Sequence, residues 1–213
     1  MRAVAVADAL RMLIPEILED GKVVALATDG LSPDKAKVLC AAIIPVSPLE
    51  DLKVQEFWIQ GGQPELTEQF TGITPTYYHS LARPEDEVWE EICGHLEGVV
   101  VGYSAVRFLS QFLTRKCIQL RKDCLVDLMA IGTGKDALET IGSAARSGMT
   151  LTRWYDALRK AGGRAGSMEN MIANTPGMEW EAPTCGEPAV LSIARNTKRL
   201  MNKLLFGRAF GSA

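Results

Sequence analysis

Apolar positions follow two rhythms along this chain. Over residues 3–18, Val4, Ala7, Leu10, Ile14 and Ile17 or Leu18 recur at helical spacing, which predicts an amphipathic lead-in helix that Pro15 bends or shortens. Asp20-Gly21 closes it. Lys22 to Thr28 is then a short apolar, β-branched run ending on Asp29-Gly30, the pattern of a buried strand entering a turn. Val38 to Val46 repeats the pattern after the Ser32-Pro33-Asp34 turn, and Glu56 to Gln60 repeats it before Gly61-Gly62. Three strands with tight connections predict an antiparallel meander.

The pattern changes further along. Residues 85–97 set Val88, Trp89, Ile92 and Leu96 on one helical face. Val99 to Tyr103 reads as a buried strand opening into a helix over Ser104 to Lys116, and Cys124 to Leu128 as another short strand. Residues 135–146 and 150–173 are again helical in spacing. Alternating strand and helix predicts parallel strands added to the meander, an α/β fold with a mixed five-stranded sheet flanked by helices. Pro176, Gly177, Pro183, Gly186 and Pro188 then predict a linker, and residues 189–206 a basic amphipathic helix. The expected organisation is a lead-in helix (1–19), a main domain (20–175), a linker (176–188) and a basic tail (189–213).

Composition narrows this. The 213 residues, 47% hydrophobic and 23% charged, are those of an ordinary globular chain able to bury a core. The net charge of −3 argues against a protein that coats nucleic acid by bulk charge. Arg195, Lys198, Arg199, Lys203 and Arg208 give the tail +5, leaving −8 on the rest. Five scattered cysteines without a C-x-x-C, and two distant histidines, argue against a zinc site and for free thiols in a reducing compartment. Acids interrupt the N-terminal apolar positions, so no signal peptide or membrane span is expected and the predicted location is cytoplasmic.

Several segments, in order, carry a family resemblance. Ala25-Leu26-Ala27-Thr28-Asp29-Gly30-Leu31 stands where the proofreading-subunit (DnaQ-like, DEDD) 3′–5′ exonucleases have Asp-x-Glu-Thr-Thr-Gly-Leu. Phe70-Thr71-Gly72-Ile73-Thr74 is similar to their Leu-Thr-Gly-Ile-Thr, and Val101 to Ala105 to their Val-x-His-Asn-Ala. Val126-Asp127-Leu128 resembles Val-Asp-Thr, and Tyr155 to Ala161 resembles His-x-Ala-Leu-x-Asp-Ala. The resemblance implies a ribonuclease-H-like fold over about residues 22–173. The family's chemistry uses four carboxylates to hold two divalent cations about 4 Å apart, and a histidine as general base.

Each of those positions is altered. Ala25 and Ala27 replace the first two acids, Phe108 (or Leu109) the next, Tyr155 the histidine and Lys160 the last aspartate. An alkyl group binds no magnesium or manganese, and an ammonium repels either. The expectation is therefore a non-catalytic exonuclease-fold protein needing no cofactor, a nucleic-acid-binding or structural subunit of a larger nucleic-acid-handling complex. Two alternatives stand beside it. One is an active Mg- or Mn-dependent 3′–5′ exonuclease whose displaced site uses Asp29, Asp127 or Asp156, although Asp29 better suits the turn before Gly30 and Asp156 a solvated helix face. The other is a purely protein-binding scaffold.

The resemblance implies that the segment after Thr71 to Thr74 meets the terminal nucleotides, which makes Thr74, Tyr77, Tyr78 and His79 candidates for contact with single-stranded DNA or RNA. A loop packed on the core fits these residues equally well. Arg107, Arg153 and Lys160 would add positive charge beside the former metal pocket. Gly132-Thr133-Gly134-Lys135 lacks the full phosphate-loop pattern and reads as a polar loop. The tail, through Ile193, Arg195, Lys198, Arg199, Leu200, Lys203 and Leu204, is the candidate surface for a protein partner; packing back on the acidic domain is the bland alternative.

Overall fold

The apolar run after Gly21 forms the strand on which the fold is built. In the computed structural model, which describes residues 21–30, 32, 34–47, 54–96, 98–103, 109–117, 125–128, 168–173 and 177–206, β1 (Lys22–Thr28) pairs antiparallel with β2 (Val38–Pro45). The register runs from Lys22↔Pro45 to Ala27↔Cys40 and slips between Ala27 and Thr28. β3 (Gln55–Trp58) adds antiparallel to β2, completing the meander. β4 (Val100–Gly102) joins β1 in parallel, and β5 (Leu125–Asp127) joins β4 in parallel, giving a mixed sheet in the order β3-β2-β1-β4-β5. The expected strands are all present, each within a residue or two of its predicted ends.

Alternation along β1 divides the core between two faces. Val23, Ala25 and Ala27 join one buried cluster, while Val24 joins the other. On the second face lie α3 (Glu85–His95) and α4 (Leu109–Lys116), burying Val88, Trp89, Ile92, Leu109 and Leu113. Acids Glu85, Asp86 and Glu87 occupy the first turn of α3 and His95 its last, the arrangement its macrodipole favours. Between β3 and α3 the chain makes a 3₁₀ turn (Pro64–Leu66), a single turn α1 (Glu68–Thr71) and α2 (Pro75–Leu81), helices where only a loop was expected.

A disulfide joins Cys93 in α3 to Cys117 beyond α4, with Cα atoms 5.2 Å apart. This corrects the expectation of free thiols at Cys93 and Cys117, which share no spacing motif and meet only once both helices dock; Cys40 and Cys185 are free. Closing the separation of 24 residues restricts the unfolded chain by about 3.5 kcal/mol. It also removes the free-thiol ground for a cytoplasmic placement. Among the described residues no helix is long and apolar enough to cross a membrane.

The first face of the sheet is covered by α6 (Ala189–Phe206), with the short α5 (Met168–Ala173) against it. Val190, Leu191, Ala194, Leu200 and Met201 enter the same core as Val23, Ala25 and Ala27. The expected free tail is thus an internal helix. Leu200 and Lys198 are buried, Ile193, Arg195 and Arg199 half-buried, and the side chains of Lys203 and Leu204 lie outside the described residues. The lead-in helix, most of residues 135–173, and the segments bearing Arg107, Phe108, Arg153, Tyr155, Asp156 and Lys160 also lie outside them.

Candidate functional site

Among the described residues the β1–β4 pairing covers Lys22↔Val100 and Val23↔Val101. The carboxyl ends of parallel strands are where α/β sheets characteristically hold ligands. A cleft of about 430 Å³ opens there. Ala25 of β1, Phe70 of α1 and Tyr103 line it, Met168 and Glu169 come from α5, and Ile193 from α6. Trp180 and Pro183, from the segment before α6, close the outer side. Phe70 is 73% exposed despite its size. Neither Phe70 nor Trp180 stands out in the sequence as a site residue. Phe70 directly precedes the Thr-Gly-Ile-Thr segment, and Trp180 is a lone aromatic among prolines and glycines.

Ala25 and Ala27 are only 6% and 5% exposed and present methyl groups to the core that α6 completes. Asp29, the nearest acid of the displaced-site alternative, is already engaged. Its Oδ1 accepts from the Lys37 amide at 2.7 Å and its Oδ2 from the Gln63 amide at 3.0 Å. That is turn chemistry, tying the β1–β2 connection to the chain after β3. Asp127 ends β5 opposite Gly102, its side chain outside the described residues. No group of three His, Cys, Asp or Glu side chains suited to a metal ion occurs among the described residues.

The Thr-Gly-Ile-Thr segment works as a joint. Thr67 Oγ1 donates to the Thr28 carbonyl at 2.9 Å, hooking α1 to the end of β1. Thr71 Oγ1 donates to Thr67 O at 3.0 Å and accepts from the Ile73 amide at 3.2 Å. Gly72 takes φ +69°, the left-handed cap conformation that a side chain resists. Ile73 plugs the core, and Thr74 caps α2 by accepting from the Tyr77 amide at 3.2 Å.

The candidate strand contacts separate accordingly. Tyr78 is buried; its Oη donates to the Ile59 carbonyl and accepts from the Gly62 amide at 3.1 Å. This corrects its expected nucleotide contact, because one helical step turns it from solvent into the core. Thr74, Tyr77 and His79 are exposed, with Tyr77 edge-on to Trp58 at 5.2 Å between ring centres.

The expected linker is strapped to α6. Arg195 forks onto Glu187, Nη1 to Oε1 and Nη2 to Oε2, both at 2.7 Å, and its Nε donates to Glu181. The Asn196 side chain donates to the Glu181 carbonyl at 2.8 Å and accepts from the Glu181 amide at 3.1 Å. The Arg199 guanidinium reaches the Glu179 carbonyl at 3.1 Å. These basic groups therefore bind the chain's own acids and backbone, which corrects their assignment to an outside partner.

The Arg195 fork, helped by bonds from Thr184, holds the Glu187 carboxyl down at about 2, from an ordinary 4.5. A depressed carboxyl contributes stability that is complete above its unfolded value and fades as pH falls toward the folded one. Glu187→Gln is expected to lower stability by on the order of 1–2 kcal/mol at pH 6, after allowance for solvent screening, and to match the parent near pH 2. Urea midpoints across this range check it; a deficit independent of pH would show that the ion pair is not its source.

No family model matches the chain, and no curated protein does. Its meander, parallel additions and flanking helices are a fold shared with solved exonuclease I structures. In particular it is similar to exonuclease I, at a TM-score of 0.56 and 14% identity over 89% of this chain and 42% of that one. Exonuclease I of E. coli in complex with a 5cy-dT13 oligonucleotide gives a TM-score of 0.56 and 16% identity over 88% and 40%. The zinc-ion-bound form of the E. coli ExoI–ssDNA complex gives 0.53 and 16% over 89% and 41%. At these identities the likeness is one of fold, and this chain spans about two-fifths of the length of those proteins. The residues on β1 do not fit a divalent cation, since the methyl groups of Ala25 and Ala27 supply no lone pair.

Proposed function

We propose that this chain is a catalytically inactive exonuclease-fold protein serving as a nucleic-acid-binding or structural component of a larger nucleic-acid-handling complex. One observation carries the reading: the β1 face where the resemblance places two metal-holding acids bears Ala25 and Ala27, sealed into an apolar core by α6. The changes at Phe108, Tyr155 and Lys160 extend the same loss. Against a displaced site, both oxygens of Asp29 are held by backbone amides. The oligonucleotide-bound exonuclease I structures supply the class of polymer. Contact with a strand falls to the exposed Thr74, Tyr77 and His79, aided by Arg107, Arg153 and Lys160.

A labelled single-stranded oligonucleotide incubated with the purified chain in magnesium or manganese tests this. We expect no shortening above the blank, and binding that weakens as salt rises. Metal-dependent shortening from the 3′ end that disappears in Asp29→Asn would establish the displaced site and end the reading.

A further inference from the structure

We propose that a second cavity, on the face of the sheet covered by α3 and α4, binds a single nucleotide unit, base inward and phosphate on Lys37 and Lys116. This deepens the nucleic-acid reading above, and rests on it where the unit belongs to a strand.

The cavity lies where the β1–β2 connection, the end of β3, the first turns of α3 and the chain of α4 converge. It shares no described lining residue with the cleft over Ala25. Val38, Ile59 and Trp89 are buried and give it an apolar floor, and Phe112 adds a second aromatic wall. Two carboxamides stand among them. Gln60 donates from Nε2 to the Ala82 carbonyl at 3.0 Å, which leaves its oxygen to accept. Gln111 lines the cavity, and its Oε1 is buried with no hydrogen-bond partner. An unmade buried bond is costly, and the terminal torsion of a glutamine is soft, so this amide is ready to turn toward a ligand that satisfies it. Aromatic walls with carboxamides suit an unstacked base: the rings meet its apolar surface and the amides its hydrogen-bonding edge.

The charged groups sit at the mouth. Lys116 Nζ donates to Glu85 Oε1 at 2.6 Å, and Lys37 Nζ lies 3.7 Å from Glu85 Oε2. One carboxylate is thus held between two ammoniums from different parts of the chain, and the Lys116 bond above all lowers its pKa. The three side chains are 32%, 41% and 52% exposed for Glu85, Lys116 and Lys37, so these pairs exchange partners at little cost. A phosphate monoester brings more oxygens and more charge to the same two lysines than a carboxylate does. Glu85 therefore holds the place of a ligand's anion and competes with it. The exposed Asp34 is the other acid on the described lining, and its repulsion keeps the affinity modest. The volume of about 210 Å³ is below that of most small-molecule sites, which fits a base inside with its sugar and phosphate at the mouth.

Calorimetry on the full chain with adenosine 5′-monophosphate, adenosine and ribose 5-phosphate tests the assignment. We expect the monophosphate to bind about tenfold tighter than either fragment. Lys37→Ala and Lys116→Ala change exposed side chains, and each is expected to weaken the monophosphate by about three- to tenfold while leaving adenosine unaltered. Glu85→Gln removes the competing carboxylate and is expected to tighten the monophosphate by about threefold, an outcome that a merely structural ion pair would not give. Asp86 and Glu87 still mark the first turn of α3 in that variant, and thermal midpoints close to the parent's show that all three fold. Equal affinity for the monophosphate and ribose 5-phosphate, indifference to both lysine changes, or weaker binding in Glu85→Gln would overturn the inference. A single-stranded oligonucleotide separates it from the broader reading. Oligonucleotide binding that is lost in Tyr77→Ala, with no binding of the monophosphate, sinks only this site. Binding of the monophosphate with none of the oligonucleotide ends the strand reading and leaves a site for a free nucleotide. Displacement of the bound monophosphate by the oligonucleotide assigns the unit to a strand.

Discussion

The double substitution Ala25→Asp, Ala27→Glu is expected to destabilise the chain by on the order of 3–5 kcal/mol and to confer no metal-dependent cleavage. Both methyls are almost completely buried on the face that α6 covers. A carboxylate there loses its water and finds methyl and isobutyl groups in exchange. The larger side chains also overpack the β1–α6 contact. If the new acids escape charge by staying protonated, their folded values rise above the unfolded ones. The folded state then binds more protons, so the deficit grows as pH climbs through the carboxylate range. Urea midpoints at pH 4 and pH 8, with and without magnesium, measure this. Recovery of stability on adding magnesium would mean that the pocket still accepts metal once its ligands return.

Removing residues 189–213 is expected to abolish cooperative unfolding. The deletion strips Val190, Leu191, Leu200 and Met201 from the core and opens the buried faces of β1 and β2 to water. A single large-to-small change at such a position costs about 2–5 kcal/mol, against a total stability of about 5–15 kcal/mol. Leu200→Ala alone is expected to fall in that range, by urea titration. A truncated chain that melts cooperatively at the parent temperature would return these residues to the status of an appendage.

The strands and the two longer helices on the second face were legible because their signals are local. Lys22 to Thr28 is β-branched and closed by Asp-Gly, and Val88, Trp89 and Ile92 repeat with a helical period. Thr71 to Thr74 was legible as a signature, but its physical role was not. A helix end, a left-handed glycine, a core plug and a cap occupy four consecutive positions, and sequence alone gives no reason to prefer that to nucleotide contact. Arg195, Lys198 and Arg199 misled for a different reason. A basic stripe reads as solvated until its countercharges are found, and Glu181 and Glu187 lie in a segment whose prolines and glycines imitate a linker. The disulfide and the cleft were invisible on similar grounds. Cys93 and Cys117, like Phe70 and Trp180, become neighbours only after the sheet has gathered its helices.

The placement of α6 sets the order in which this protein can become itself. β1 and β2 are made early, yet the helix that roofs them is roughly 160 residues away in the chain. During synthesis an apolar sheet surface must therefore wait, uncovered, for residues 189–206. Folding that depends on so distant a contact is slow, and the waiting surface is prone to association. A nonsense or frameshift change shortly before Ala189 would thus yield a chain missing one helix from its sequence but half of the covering of its sheet, a species for quality-control proteases and not a smaller working domain.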